Sequence, residues 1–145
     1  FYAFENVGSF FMPEVGSEVI VGFINEDPEQ AVILGCLYNE STHAGGYIPD
    51  EENSKKAILT KSEMKIEFND KEKIFQIHTK NGNEITIKDE EDEDTILIKD
   101  KHGNFIQTGK SKISVKAVED LEVEAKNILF KASEKLTINA KGNDA

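Results

Sequence analysis

The sequence predicts an all-β chain: a short compact β region in front, then a long array of very short strands. Three observations carry that prediction. Apolar residues alternate with polar ones over five-residue stretches from Glu18 to Ala140, the period-two signature of strands. A nine-residue segment, "IHTKNGNEI" (77–85), returns as "IKDKHGNFI" (98–106), offset by 21 residues with its turn glycine in place. Near the end, a triplet of alternating apolar residues closing on alanine occurs four times, its starts 8, 7 and 8 residues apart.

The elements follow in chain order. "GSEVIVGF" sets Val19, Val21 and Phe23 against Glu18, Ile20 and Gly22, a strand covered on much of both faces. "NEDPEQ" (25–30), punctuated by Asp27-Pro28, is a turn. "AVILGCLY" completes a hairpin as a second buried strand, with Cys36 a core thiol. Residues 40–62 hold Gly45-Gly46, Pro49 and scattered polar residues, a connector or neck between two architectures. Beyond it come "MKIEF", "FQIHT", "EITIKD" and "TILIKD", separated by the turns "NDKEK" and "NGN" and by the acidic run 89–94. "KHGN" turns the chain again. Gly82 and Gly103 are the turn glycines, placed where a tight turn demands positive φ. The domains are therefore 1–39, 40–62 and 63–145.

The closing run, "KISVKAVEDLEVEAKNILFKASEKLTINAKG", is rich in helix formers. A helix would set apolar residues at i, i+3, i+4 and i+7. Here they fall at i, i+2 and i+4 and then pause, so strands are predicted. The set is Ile113, Val115, Ala117, Leu121, Val123, Ala125, Ile128, Phe130, Ala132, Leu136, Ile138 and Ala140. A ribbon of such strands would expose bare hydrogen-bonding edges and an uncovered apolar side. A single-chain solenoid would mend this, and the 21-residue repeat has the length of one coil. The eight-residue unit holds only one strand and one bend. It predicts a closed prism with one wall per chain per layer, hence a homotrimer with those twelve residues at its core and a narrow shaft at each alanine.

Composition bounds the function. The 145 residues are 38% hydrophobic and 31% charged, with 28 acidic residues, 17 basic ones and a formal net charge of −11. Such acidity opposes nucleic acid, whose affinity comes mainly from Lys and Arg displacing counterions, and it opposes anionic membrane surfaces. The longest apolar run, Ala31 to Tyr38, is far short of a membrane span, and no signal peptide is recognisable. A chain opening on Phe1 is expected to be part of a longer protein. His43, His78 and His102 share no metal-ligand spacing with one another or with Cys36. "DEEDED" (89–94) lacks the alternation of a calcium loop. No Ser/His/Asp order or phosphate-binding glycine loop occurs. Catalytic, metal and cofactor-binding residues are predicted to be none.

The stretch "GSFFMPEVGSEVIVGFINEDPEQAVILGCLYNES" (8–41) closely resembles the OB-fold hub domain of the VgrG spike proteins of type VI secretion systems, and the related baseplate spikes of contractile phages. The matching residues are Phe11, Pro13, Glu14, Val15, Gly16, Glu18 and Val19, continuing with Val21, Phe23, Asp27, Pro28, Leu34, Gly35, Leu37, Tyr38 and Asn39. "AILTKSEMKIEFNDKEKIFQIHTKNGN" is similar to the entry of that family's spike. The triplets depart from the valine-glycine octads of many relatives. The resemblance implies a partial OB-fold collar leading into an intertwined triple-stranded β-helix, a homotrimeric needle; some relatives carry a toxic enzyme beyond the spike, but the residues here present no catalytic arrangement, so neither an enzyme nor a cofactor is expected. It also implies partners, an Hcp-type tube protein and a PAAR-type tip protein, for a spike made in the cytoplasm and exported by the contractile machine to puncture a target envelope. The rival expectation is a trimeric β-helical fibre or adhesin binding a surface glycan, which needs aromatic platforms on the rod. An enzyme on a single-chain solenoid would be a monomer.

Overall fold

The computed structural model of the chain describes residues 3–39, 51–92 and 94–140. Its regular elements are eleven strands and one 3₁₀ turn, in keeping with the all-β prediction. They form three antiparallel sheets. His43 and the glycines of the connector fall outside the described residues.

The first sheet is a minimal hairpin, β1 (Ala3–Phe4) with β2 (Val7–Gly8). The second pairs β3 (Glu18–Phe23) with β4 (Ala31–Leu37). Its register runs Ile20 to Gly35 and Val21 to Ile33, so Leu34 is an extra residue in a β-bulge. Gly22 accommodates it: a Cβ there would stand 3.1 Å from a Leu34 methyl. The 3₁₀ turn Ile24–Glu26 and Asp27 close this hairpin. The Asp27 carboxylate accepts from the Glu29 amide at 3.0 Å and from Gln30 Nε2 at 2.9 Å, an Asx arrangement that suits the Asp-Pro turn. At the open end, Asn39 Nδ2 donates to Glu18 Oε2 at 2.8 Å.

The third sheet is a seven-stranded meander: β5 (Lys55–Leu59), β6 (Lys65–Asn69), β7 (Ile74–His78), β8 (Glu84–Lys88), β9 (Thr95–Lys99), β10 (Phe105–Gly109) and β11 (Lys112–Lys116). Each strand pairs antiparallel with its neighbour in sequence. All seven are five residues long, so no strand overhangs another.

Three readings are corrected here: the extent of the connector, the coil that the 21-residue repeat could have formed, and the burial of β3, β4 and Cys36. Residues 55–59, assigned to the connector, form β5, because Lys55 to Leu59 pair residue for residue with Asn69 to Lys65. The 21-residue repeat is not a coil of a solenoid but a hairpin pair of this meander. The side chains of β3 and β4 are mostly exposed, and so is Cys36. Among the described residues there is no buried hydrophobic side chain at all; the only buried residues are Ser54 and Asn69. Residues 117–140 contain no helix and make no strand ladder within the chain.

Candidate assembly face

The meander's register sorts its side chains into two unlike faces. On one, Ile58, Ile66, Ile77, Ile85, Ile98, Ile106 and Val115 stand directly opposite one another across all seven strands. A second column beside it runs Lys56, Phe68, Phe75, Ile87, Ile96, Thr108 and Ile113. The Phe68 and Phe75 ring centroids are 5.0 Å apart, within the range of favourable aromatic pairs. Lys56 pairs with Asp70 at the rim, and the Thr108 hydroxyl accepts from the Ile96 amide at 3.2 Å. β-branched residues opposite one another are the unit of sheet stabilisation, and here they form an unbroken ladder.

The opposite face is mostly polar. Its central column is Ala57, Glu67, Gln76, Thr86, Leu97, Gln107 and Ser114, and a flanking one runs Leu59, Lys65, His78, Glu84, Lys99, Phe105 and Lys116. Gln76 Nε2 donates to Thr86 Oγ1 at 3.1 Å, and that hydroxyl donates to Glu84 Oε1 at 2.6 Å. Lys99 Nζ lies 3.1 Å from Glu84 Oε2, and Lys65 Nζ lies 2.9 Å from Glu67. The Thr86 hydrogen bond first, and Lys99 with it, holds the Glu84 carboxyl below its ordinary pKa of 4.5.

In the middle of the meander burial is inverted. In β8 and β9 the polar-face residues are half-buried while the isoleucines alternating with them are exposed; Ile98 is 48% exposed. The apolar columns extend about 29 Å along the sheet at the usual strand spacing, a continuous patch of the kind that marks an interaction site.

One rim of the meander is made of three copies of one turn. At 60–64, 79–83 and 100–104 the first residue's amide donates to the carbonyl of the fifth, and the fourth residue's amide donates back to the first. In each, the fifth amide also meets the first side chain: Met64 on Thr60 Oγ1 at 3.1 Å, Asn83 on Thr79 Oγ1 at 3.3 Å, Asn104 on Asp100 Oδ1 at 2.9 Å. The fourth residue has positive φ: Glu63 at 61°, Gly82 at 91° and Gly103 at 94°. This is a three-residue loop with a left-handed closing residue. The turns are tied to one another. Lys80 pairs with Glu63, Asn83 Oδ1 accepts from the Lys101 amide at 3.1 Å, and Asn104 Oδ1 accepts from Val118 at 2.7 Å. The first copy was missed in the sequence because Glu63 stands where the others have glycine; the shared Thr-Lys opening of 60–61 and 79–80 was the available signal.

The structure brings together only part of the twelve residues assigned to a trimer core. Ile113 and Val115, in β11, end the two apolar columns. From Ala117 the chain leaves the sheet, and the large members of the remaining triplets are exposed, from Ile128 at 49% to Ile138 at 85%. Val118 and Leu129, outside the predicted set, are exposed as well. Among the described residues no cluster of His, Cys, Asp and Glu is suited to a metal ion, and no helix is long and apolar enough to cross a membrane.

Residues 1–38 match the family model described as the type VI secretion system/phage-baseplate injector OB domain. Over 69 residues the chain is 35% identical to the type VI secretion system spike protein VgrG3 of Vibrio cholerae serotype O1, covering 48% of this chain and 7% of that protein. It is 33% identical over 69 residues to the actin cross-linking toxin VgrG1 of the same species, covering 48% of this chain and 6% of the toxin. It is 28% identical over 100 residues to the spike protein VgrG1c of Pseudomonas aeruginosa, covering 62% of this chain and 14% of the relative. The chain thus spans a small part of the length of these relatives. The similarity to VgrG-type spike proteins agrees with the resemblance read from residues 8–41.

Proposed function

We propose that this chain, a relative of VgrG-type spike proteins with an injector OB segment at its front, is the structural shaft of a puncturing spike in a contractile injection machine. Three copies set the apolar faces of their meanders inward, and the polar faces become the skin. The observation that carries this reading is the apolar ladder that crosses all seven strands, with its isoleucines exposed in β8 and β9 while the polar face beside them is half-buried.

Size supports the number three. A five-residue strand is about 17 Å long, so a three-walled prism of such strands has its axis about 5 Å from each wall, half the usual ~10 Å separation of packed sheets. Isoleucine and phenylalanine fill that distance. Four walls would leave the axis about 8 Å away and hollow, and two would leave the sides open. Beyond residue 116 the strands lose their partners within the chain, and sister copies supply them in an intertwined triple-stranded β-helix with the triplets at its axis. Residues 1–39 form the collar and 40–54 the neck.

The role is non-enzymatic and lies in shape and stiffness. The spike is made in the cytoplasm, seated on an Hcp-type tube, fitted with a PAAR-type tip protein and exported by contraction. Light scattering on the purified chain tests the assembly: about 49 kDa, three times 16.2 kDa, is expected, and a monodisperse 16 kDa species would end the proposal.

A further inference from the structure

We infer that Asn81–Gly82 is a self-modifying site, at which the chain deamidates through a succinimide and acquires an isoaspartyl bond in the middle turn of the rim. Of all its asparagines, Asn81 alone precedes glycine. Asn81 is exposed, in the three-residue loop Lys80–Gly82. Gly82 has no side chain to shield its amide nitrogen, and a Cβ there would meet only Lys101 at 3.9 Å. The two sister turns serve as internal controls: they set Ser62 and His102 at Asn81's position, and neither carries a carboxamide. Asn83 and Asn104 are followed by Glu84 and Phe105, and their side-chain oxygens are held by the Lys101 and Val118 amides.

The chemistry needs only water. The Gly82 amide nitrogen attacks Asn81 Cγ; a C–N bond forms and ammonia leaves, closing a five-membered succinimide. Water then opens either carbonyl, giving aspartate or, with the main chain rerouted through the β-carbon, isoaspartate. In the folded turn the attacking nitrogen is occupied, since Gly82 N–H donates to Thr79 O at 3.1 Å. The rate is therefore gated by local opening of the β7–β8 turn. Isoaspartate lengthens a three-residue loop by one backbone atom and displaces Asn83, so the tie to Lys101 is loosened and one negative charge is added at the rim. The site marks the age of each chain, and its product carboxyl is the substrate class of isoaspartyl methyltransferases. This inference stands independently of the assembly proposed above.

The full chain is incubated at mildly alkaline pH, then mapped by mass spectrometry and by methyl transfer from an isoaspartyl methyltransferase. Isoaspartate is expected first at residue 81, severalfold faster than at any other asparagine and faster again in urea. N81Q should abolish it, and H102N should create a second such site in the sister turn. Earlier reaction at another asparagine, or no isoaspartate at residue 81 in urea, would overturn the inference.

Discussion

Glu63 holds a left-handed backbone angle of 61° in a turn whose two sisters use glycine. For a residue with a Cβ that conformation costs roughly 1–2 kcal/mol, and the Lys80 ion pair it gains is largely exposed and worth little. Glu63→Gly is therefore expected to stabilise the chain by about 0.5–1 kcal/mol, once glycine's greater unfolded-state entropy is counted; equilibrium denaturation checks it, and a destabilised variant would refute the strain. Two carboxylates are expected to make the sheet acid-sensitive. The Thr86 and Lys99 contacts depress Glu84 from 4.5, and hydrogen bonds from Asn104 first, with the Asn104 and His102 amides, depress Asp100 from 3.8. A depressed native pKa means a contribution fully present above the unfolded value and lost as pH falls through the native one. Stability should thus decline below about pH 4.5, and Glu84→Gln should flatten the upper part of that decline. A wild-type-like pH profile in that variant would exclude Glu84 as its source.

At the scale of the strand, face decides the outcome of a substitution. Ile98 and Gln107 lie on neighbouring strands but on opposite faces, since Ile98 pairs with Ile106 and Gln107 with Leu97. Ile98→Asp sets a carboxylate in the apolar ladder, where three copies would bring like charges together without partners. It is expected to abolish assembly, whereas Gln107→Glu leaves it intact. Val123→Asp carries the same test into the stretch beyond β11, and a full-mass, heat-resistant assembly of that variant would contradict the axial placement of the triplets. The β3–β4 hairpin behaves differently. Its bulge at Leu34 relies on the space over Gly22, so a side chain there is felt locally and not in the shaft.

The molecule as a single copy exposes 13426 Å², against about 7,500 Å² for a folded monomer of its mass. One sheet with no covering layer cannot bury a side chain from both sides, and in the proposed trimer the sister copies would supply the second layer. The apparent melting temperature is accordingly expected to rise with protein concentration, as for any fold coupled to association. A midpoint unchanged across a hundredfold dilution, with no change in mass, would separate folding from assembly. In the proposed trimer the formal charge of −11 per copy would keep neighbouring assemblies apart in solution.

Much of the architecture is legible in residue order. Period-two alternation is a local steric property, so the strands within 64–100 and the one at Ile113 and Val115 followed from residue order, as did the turns at Gly82 and Gly103. What residue order could not disclose was pairing. Whether a five-residue strand bonds to its neighbour, to a distant coil or to a sister chain is settled by backbone hydrogen bonds that carry no side-chain code. Hence the 21-residue repeat proved to be a hairpin pair, and Lys55–Leu59 joined the sheet because its amides meet those of β6 despite its polar surroundings. Residue order fixes which side chains are apolar and how they alternate along each strand. Their alignment into two columns on one exposed face comes from strand pairing in space, because register is a relation between strands and belongs to none of them alone.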